Sequence, residues 1–83
     1  MIDTETMTGL LRVLQSCGGI PVRENVIFGQ FNSAAVSVQT MSTIREHLMR
    51  AYDKGWVDYL VDEDDKAKKW WITQAGKVNL AGR

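Results

Sequence analysis

Residues 40–57 read TMSTIREHLMRAYDKGWV, and this stretch decides the fold. Its apolar residues recur at the three- and four-residue spacing of a helix with one buried face: Met41, Ile44, Leu48, Ala51 and Tyr52. Thr40 suits the N-cap because its hydroxyl can accept a hydrogen bond from a first-turn N–H, and Gly55 suits the position beyond the helix end. The stretch therefore predicts a helix over residues 41–54 that leads directly into a strand.

A β-hairpin is predicted next. Residues 56–61 and 70–72 are rich in β-branched and aromatic side chains, and the polar run DEDDKAKK at 62–69 separates them. Strand alternation places side chains on common faces in three groups: Val57, Tyr59 and Val61; Trp70 and Ile72; and Lys69 and Trp71.

The segment after the hairpin predicts a short final helix. Thr73 can cap its start, and Val78 and Leu80 then face the interior. Gly76 lies inside this helix, where glycine costs about 1 kcal/mol relative to Ala. We therefore expect a packing reason for it, such as a close approach to the first helix.

The N-terminal segment predicts a first helix. Its apolar residues form one buried face: Met7, Leu10, Leu11, Val13, Leu14 and Cys17. Asp3, Thr4 or Thr6 can cap the start, and Gly18-Gly19 suits the end. The structure of residues 20–39 is harder to predict. We expect a short helix from about Arg23 to Phe31, although residues 26–28 would also suit a strand. Residues 32–38 form either a loop or the lead-in to the next helix.

Length and composition bound the function. A chain of 83 residues predicts one domain, 1–83, whose core is too small for a deep catalytic cavity. The chain lacks a run of about 18 apolar residues, its first eight residues are acidic and polar, and Cys17 has no disulfide partner in the chain. We therefore expect a cytoplasmic protein with no membrane partner.

The charges are balanced in number but not in position. Ten basic and ten acidic side chains give a formal net charge of zero, whereas nucleic-acid binders usually carry excess positive charge. From Gly55 to Asp65 every charged residue is an acid: Asp58, Asp62, Glu63, Asp64 and Asp65. The bases that follow are Lys66, Lys68, Lys69, Lys77 and Arg83.

The order of these elements resembles a known family. The helix and strand at 40–57 resemble the recognition helix and following strand of winged helix-turn-helix proteins. The segment ITQAGK at 72–77 resembles the Leu-Thr-x-x-Gly segment that closes the wing in MarR-type and PadR-type regulators. The likeness is good over residues 40–80 and poor over 20–39. It implies a mostly α, α+β fold: a three-helix core, a C-terminal β-hairpin wing and a short final helix.

The resemblance also implies a function and a site. It implies a small transcriptional regulator that binds double-stranded DNA, often as a homodimer. The base-contacting positions on the outer side of the third helix would be Ser42, Thr43, Glu46, His47 and Arg50, with Arg45 pointing either way. The wing positions that contact phosphate would be Lys66, Lys68 and Lys69. The acidic outgoing side of the wing departs from this pattern because phosphate would repel it.

Each of these residues has a second interpretation. The arginines can donate to guanine, or they can lie on a solvated helix face. The wing lysines can neutralise phosphates, or they can pair across the turn with Asp62, Asp64 and Asp65. Trp71 predicts either a protein interface or packing across the hairpin on Leu60 or Trp56. A protein–protein module, such as a phage or plasmid adaptor or inhibitor that uses Trp71 and the acidic wing edge, is therefore the alternative function.

Catalysis, cofactors and metals find no support in the sequence. The acids at 62–65 lack the glycine and the terminal glutamate of a calcium loop, and His47 has no Cys or His partner at metal-ligand spacing. Cys17 and His47 have no sequence context for nucleophilic chemistry, and no Gly-rich phosphate loop is present. We therefore predict a protein that is not an enzyme.

Overall fold

The computed structural model describes residues 2–34 and 38–82. Its elements are α1 (Thr4–Ser16), β1 (Val22–Arg23), α2 (Glu24–Ala34), α3 (Met41–Asp53), β2 (Val57–Val61), β3 (Lys68–Ile72) and α4 (Gln74–Ala81). The strands form one antiparallel sheet in the order β1-β3-β2. The predicted three-helix core, C-terminal hairpin and short final helix are confirmed.

The helix ends follow from local chemistry. Asp3 caps α1, since its carboxylate accepts from the Thr6 N–H at 3.2 Å, and Gly18 follows the helix at a φ of 75°. Thr40 caps α3 by accepting from the Thr43 N–H at 3.2 Å, and Gly55 lies beyond its end at a φ of 78°. The predicted helix over 41–54 is thus confirmed to within one residue.

One apolar core joins the helices to the sheet. It contains Met7, Leu10, Leu11 and Leu14 of α1, Ile27 and Phe31 of α2, Ile44, Leu48 and Ala51 of α3, and Val22, Val57, Trp70, Ile72 and Leu80. The α1 stripe and the inward face of Trp70 and Ile72 are confirmed. Val78 was predicted to face inward, but it is 62% exposed, so this prediction is wrong and the buried residues of α4 are Gly76 and Leu80.

The segment that the sequence predicted least contains an unpredicted strand. Val22 pairs with Trp70 and Arg23 pairs with Lys69, so β1 adds a third strand to the hairpin. The predicted helix near Arg23–Phe31 is confirmed as α2, which begins one residue later and ends at Ala34. Of the predicted loop or lead-in, residues 35–37 lie outside the described residues.

The ends of the segment between α2 and α3 are held together by one side chain. The amide of Asn32 donates to the Gln39 carbonyl at 3.0 Å and accepts from the Gln39 N–H at 2.9 Å. This paired bond imitates a strand pairing and fixes the approach of α3 to α2. It compensates for a connection longer than a compact turn.

Gly76 has the packing reason that the sequence predicted, but with another neighbour. A Cβ at this position would meet the carbonyl group of Trp56 and would lie 2.7 Å from Cγ1 of Ile72. The nearest atoms thus belong to the hairpin and not to the first helix. The glycine lets α4 pack on Trp56, the residue just before β2.

Candidate nucleic-acid interface

The third helix presents one polar face and one buried face. Ile44, Leu48 and Ala51 are fully buried, while Ser42, Arg45, Glu46, Met49, Arg50 and Asp53 are exposed. Arg45 and Arg50 are five residues apart, which separates them by about 140° around a helix of 3.6 residues per turn. The two arginines therefore lie on opposite flanks of the exposed face.

His47 lies on the wrong side of this helix for the predicted role. Its side chain is 0% exposed, so the prediction that it faces outward is wrong. Nδ1 lies 2.8 Å from the Thr43 carbonyl oxygen and therefore donates, while Nε2 accepts from the Asp3 N–H at 3.0 Å. The ring links the start of α1 to the middle of α3, which is a structural role.

Arg45 is held by an acid from another element. Its Nε donates to Oε1 of Glu24 at 3.2 Å, and the Arg45 side chain remains 59% exposed. Oε2 of the same carboxylate accepts from Nε1 of the buried Trp70 at 3.2 Å. Glu24 therefore satisfies a core tryptophan and orients an exposed arginine beside the hairpin.

Ion pairs at the hairpin turn match the second interpretation of the wing lysines in part. Nζ of Lys69 lies 3.0 Å from Oδ2 of Asp62. Arg23 of β1 pairs with Asp65 and lies 3.8 Å from Asp62. Lys68 instead lies over the ring of Tyr59, with Nζ 5.2 Å from the ring centroid.

These contacts shift the ionisation of both carboxyl groups. The pKa of Asp62 is lowered from 3.8, chiefly by the hydrogen bond from Lys69 and then by that from the Asp64 N–H. The pKa of Asp65 is lowered from 3.8, first by the Ala67 N–H and then by Arg23. The partner guanidinium has a raised pKa for the complementary reason. The turn therefore keeps its negative charge at neutral pH.

A cleft of about 580 Å³ lies between α3 and the turn. Its lining combines four cations with two thioethers and a few small or polar groups: Arg23, Glu24, Asn25, Met41, Arg45, Met49, Lys66, Ala67 and Lys68. Glu24 is the only acid in this lining among the described residues. We call this feature the helix–wing cleft.

The cleft unites some predicted site residues and excludes others. Arg45, Lys66 and Lys68 meet there, whereas Ser42, Thr43, Glu46, Arg50 and Lys69 do not line it. The sequence reasoning missed Arg23, Met41 and Met49. For the two methionines a signal was present, because residues 41, 45 and 49 recur every four positions along one flank of α3.

Trp71 lies on the sheet face opposite Trp70. It stands across from Asp58 of β2, and it is half-buried rather than openly exposed. Leu60, on the same face of the hairpin, is 42% exposed. This face is distinct from the helix–wing cleft, since neither residue lines the cleft.

Within residues 2–34 and 38–82, no cluster of three His, Cys, Asp or Glu side chains is arranged to hold a metal ion. In the same ranges, no helix is long and apolar enough to cross a membrane.

Solved structures of transcriptional regulators share this fold. A regulator from Clostridium thermocellum superposes with a TM-score of 0.79 at 15% identity, over 99% of this chain and 84% of that one. A MarR family transcription regulator gives a TM-score of 0.76 at 12% identity, over 95% of this chain and 48% of that one. Streptococcus pneumoniae FabT, solved in complex with DNA, gives 0.68 at 15% identity, over 96% of this chain and 50% of that one.

The chain has a winged-helix fold. Within it, α3 corresponds to the third helix, β2 and β3 form the wing, and the resemblance to MarR-type domains is confirmed at the level of structure. The winged-helix domain spans about half the length of the MarR family regulator and of FabT. No protein-family model and no curated protein matches its sequence.

Proposed function

We propose that this winged-helix domain binds double-stranded DNA as part of a transcriptional regulator. The observation that carries the proposal is the helix–wing cleft, where Arg23, Arg45, Lys66 and Lys68 surround the space between α3 and the wing. A cleft lined by cations attracts phosphate, and the salt dependence of binding follows from the counterions that each contact releases. The solved structure of FabT in complex with DNA supports the choice of partner.

In this proposal α3 enters the major groove and the wing contacts the flanking backbone. The exposed face of α3 offers base contacts through Ser42, Thr43, Arg45, Glu46 and Arg50. Lys66, Lys68 and Lys69 offer phosphate contacts. His47 has no part in it, because a buried imidazole with both nitrogens bonded cannot reach a base. Two copies would occupy half-sites about one helical turn apart.

Titration of a fluorescent random-sequence duplex at several salt concentrations tests the proposal. We expect binding that weakens steeply as salt rises, and we expect Lys68→Ala to reduce the slope of log K against log salt by about 0.9. Arg50→Ala should weaken binding as well. Lys77→Ala removes the same charge from the exposed face of α4, outside the cleft, and should leave the slope unchanged. Absence of any duplex binding at about 50 mM salt would contradict the proposal.

The alternative is a protein–protein module, and one observation favours it. The wing face opposite the core carries an exposed Leu60 beside a half-buried Trp71, and the acids of the turn neutralise Lys69 and Arg23. Under this alternative, Trp71→Ala would abolish capture of a protein partner, and Lys68→Ala would not. Under the DNA proposal, Lys68→Ala would weaken duplex binding and Trp71→Ala would leave duplex affinity unchanged.

A further inference from the structure

Arg23 lines the helix–wing cleft, but its guanidinium already pairs with acids of the hairpin turn. Its guanidinium pairs with Oδ2 of Asp65 through Nη1, and Nη2 lies 3.8 Å from Oδ2 of Asp62. That second carboxylate oxygen also lies 3.0 Å from Nζ of Lys69. Two wing acids thus hold two cations in the neighbourhood where a DNA phosphate is proposed to bind.

The two acids are held in place by the turn itself. Oδ1 of Asp62 accepts from the Asp64 N–H at 2.9 Å, and Oδ1 of Asp65 accepts from the Ala67 N–H at 3.0 Å. In each carboxylate, one oxygen therefore belongs to the backbone of the turn and the other, Oδ2, points at the cations. This arrangement does not depend on Arg23, because the backbone bonds fix both side chains.

We propose that Asp62 and Asp65 are internal competitors of DNA phosphate for Arg23 and Lys69, and that they set the affinity of the domain. The inference rests on the proposed function. A guanidinium that stays paired with carboxylate oxygens makes no phosphate contact and therefore releases no counterion from the DNA, so the acid must first be displaced. The Arg23 side chain is 40% exposed, so the pair can exchange with solvent and with an incoming phosphate.

This competition gives a role to the acidic residues of the wing, which the resemblance to DNA-binding wings does not explain. The wing lysines Lys66 and Lys68, which make no ion pair in the described structure, are expected to contact phosphate first. Arg23 and Lys69 contribute only after their acids are displaced. The domain should therefore bind DNA with a shallower salt dependence than the number of its nearby cations suggests.

Asp62→Asn/Asp65→Asn is the test variant, compared with the wild-type chain in duplex titrations over a range of salt. Asparagine keeps the Oδ1 acceptor for the turn and removes the charge that holds the cations. Glu63→Gln/Asp64→Asn is the matched control, because it removes two charges from the same turn and neither side chain forms an ion pair in the described structure. Arg23→Gln is made in the wild-type and test backgrounds.

We expect the test variant to bind tighter at low salt and to steepen the slope of log K against log salt by about 1 to 2, because each new phosphate contact adds about 0.9. The control variant should leave the slope unchanged. Arg23→Gln should weaken binding less in the wild type than in the test background, where it should reverse about half of the gain because Lys69 remains free to contact phosphate.

Two results overturn it in distinguishable ways. If all variants bind with the same slope, or if Arg23→Gln weakens the wild type as much as the test variant, the competition is absent while DNA binding stands. If neither the wild type nor the test variant binds any duplex, the proposed function fails, and the competition fails with it. Thermal unfolding of every variant confirms that each compared protein is folded.

Discussion

At the scale of single residues, His47 is a polar side chain of α3 whose removal we expect to cost stability rather than DNA affinity. It fills buried space and bonds through both ring nitrogens, to the Asp3 N–H and to the Thr43 carbonyl. His47→Ala should lower the free energy of unfolding by about 2–4 kcal/mol, since it leaves a cavity and an Asp3 N–H without its partner, while the Thr43 carbonyl keeps its helical bond. Urea denaturation followed by tryptophan fluorescence measures this.

Arg50→Ala is the matched control for that measurement. The side chain is exposed on the same helix, so its loss should change the free energy of unfolding by no more than about 0.5 kcal/mol. The two substitutions should therefore separate stability from DNA binding. Equal stability losses in both variants would show that the His47 bonds are not structural.

Gly76 makes a second residue-scale prediction. A methyl group at this position would collide with the carbonyl group of Trp56, whose carbon lies 3.0 Å from the new atom. Ala in place of a helical Gly normally gains about 1 kcal/mol, but overpacking against backbone should outweigh that gain and give a net loss of about 1–3 kcal/mol for Gly76→Ala.

Gly29 of α2 provides the comparison, since a Cβ there meets nothing within 4 Å. Gly29→Ala should stabilise the domain by about 0.5–1 kcal/mol. The melting temperatures of the two variants should move in opposite directions. A Gly76→Ala variant that melts above the wild type would contradict the close approach of α4 to Trp56.

At the scale of elements, the periodic spacing of apolar residues predicted the helices and the hairpin correctly. The α1 and α3 stripes, the caps and the hairpin parity follow from local spacing, and all were recovered. The strand β1 was not, because two residues carry no period and Val22 becomes a strand residue only by pairing with Trp70 across the chain. The glycine at position 76 likewise indicated close packing, but the sequence did not show that its neighbour is Trp56.

The same limit applies to the candidate site. The resemblance to winged-helix proteins marked Arg45, Lys66 and Lys68, which the fold does bring together. Arg23 was missed because its place in the cleft depends on β1, and His47 was misplaced because its partner is the backbone of a residue 44 positions away. Long-range contacts of this kind leave no pattern in a single sequence.

At the scale of the whole molecule, acid should weaken the fold through at least three carboxyl groups. The pKa of Asp3 is lowered from 3.8 by the Thr6 hydroxyl and then by the Thr6 N–H, and those of Asp62 and Asp65 are lowered too. A pKa that is lower in the folded state contributes stability above about 3.8, its unfolded value, and this contribution is lost as pH falls through the folded value.

Melting temperature should therefore decline as pH falls below about 4. The decline should be shallower in Asp62→Asn/Asp65→Asn, which cannot lose these two contributions, than in Glu63→Gln/Asp64→Asn. Scanning calorimetry between about pH 7 and about pH 2 makes the comparison. If the melting temperatures of the two variants fell equally steeply with decreasing pH, the assigned ion pairs would be contradicted.

The adjacent residues Arg23 and Glu24 reach in two directions from one point of the backbone. Arg23 holds the wing through Asp65, and Glu24 holds α3 through Arg45 and β3 through Trp70. The two bonds of Glu24 do not involve the wing acids, so they brace α3 against β3 and keep the two surfaces proposed to meet DNA at a fixed separation even when Asp65 is displaced. A duplex whose grooves do not match that separation must bend or forgo one contact, so we expect target choice to depend on duplex shape and stiffness as well as on base identity.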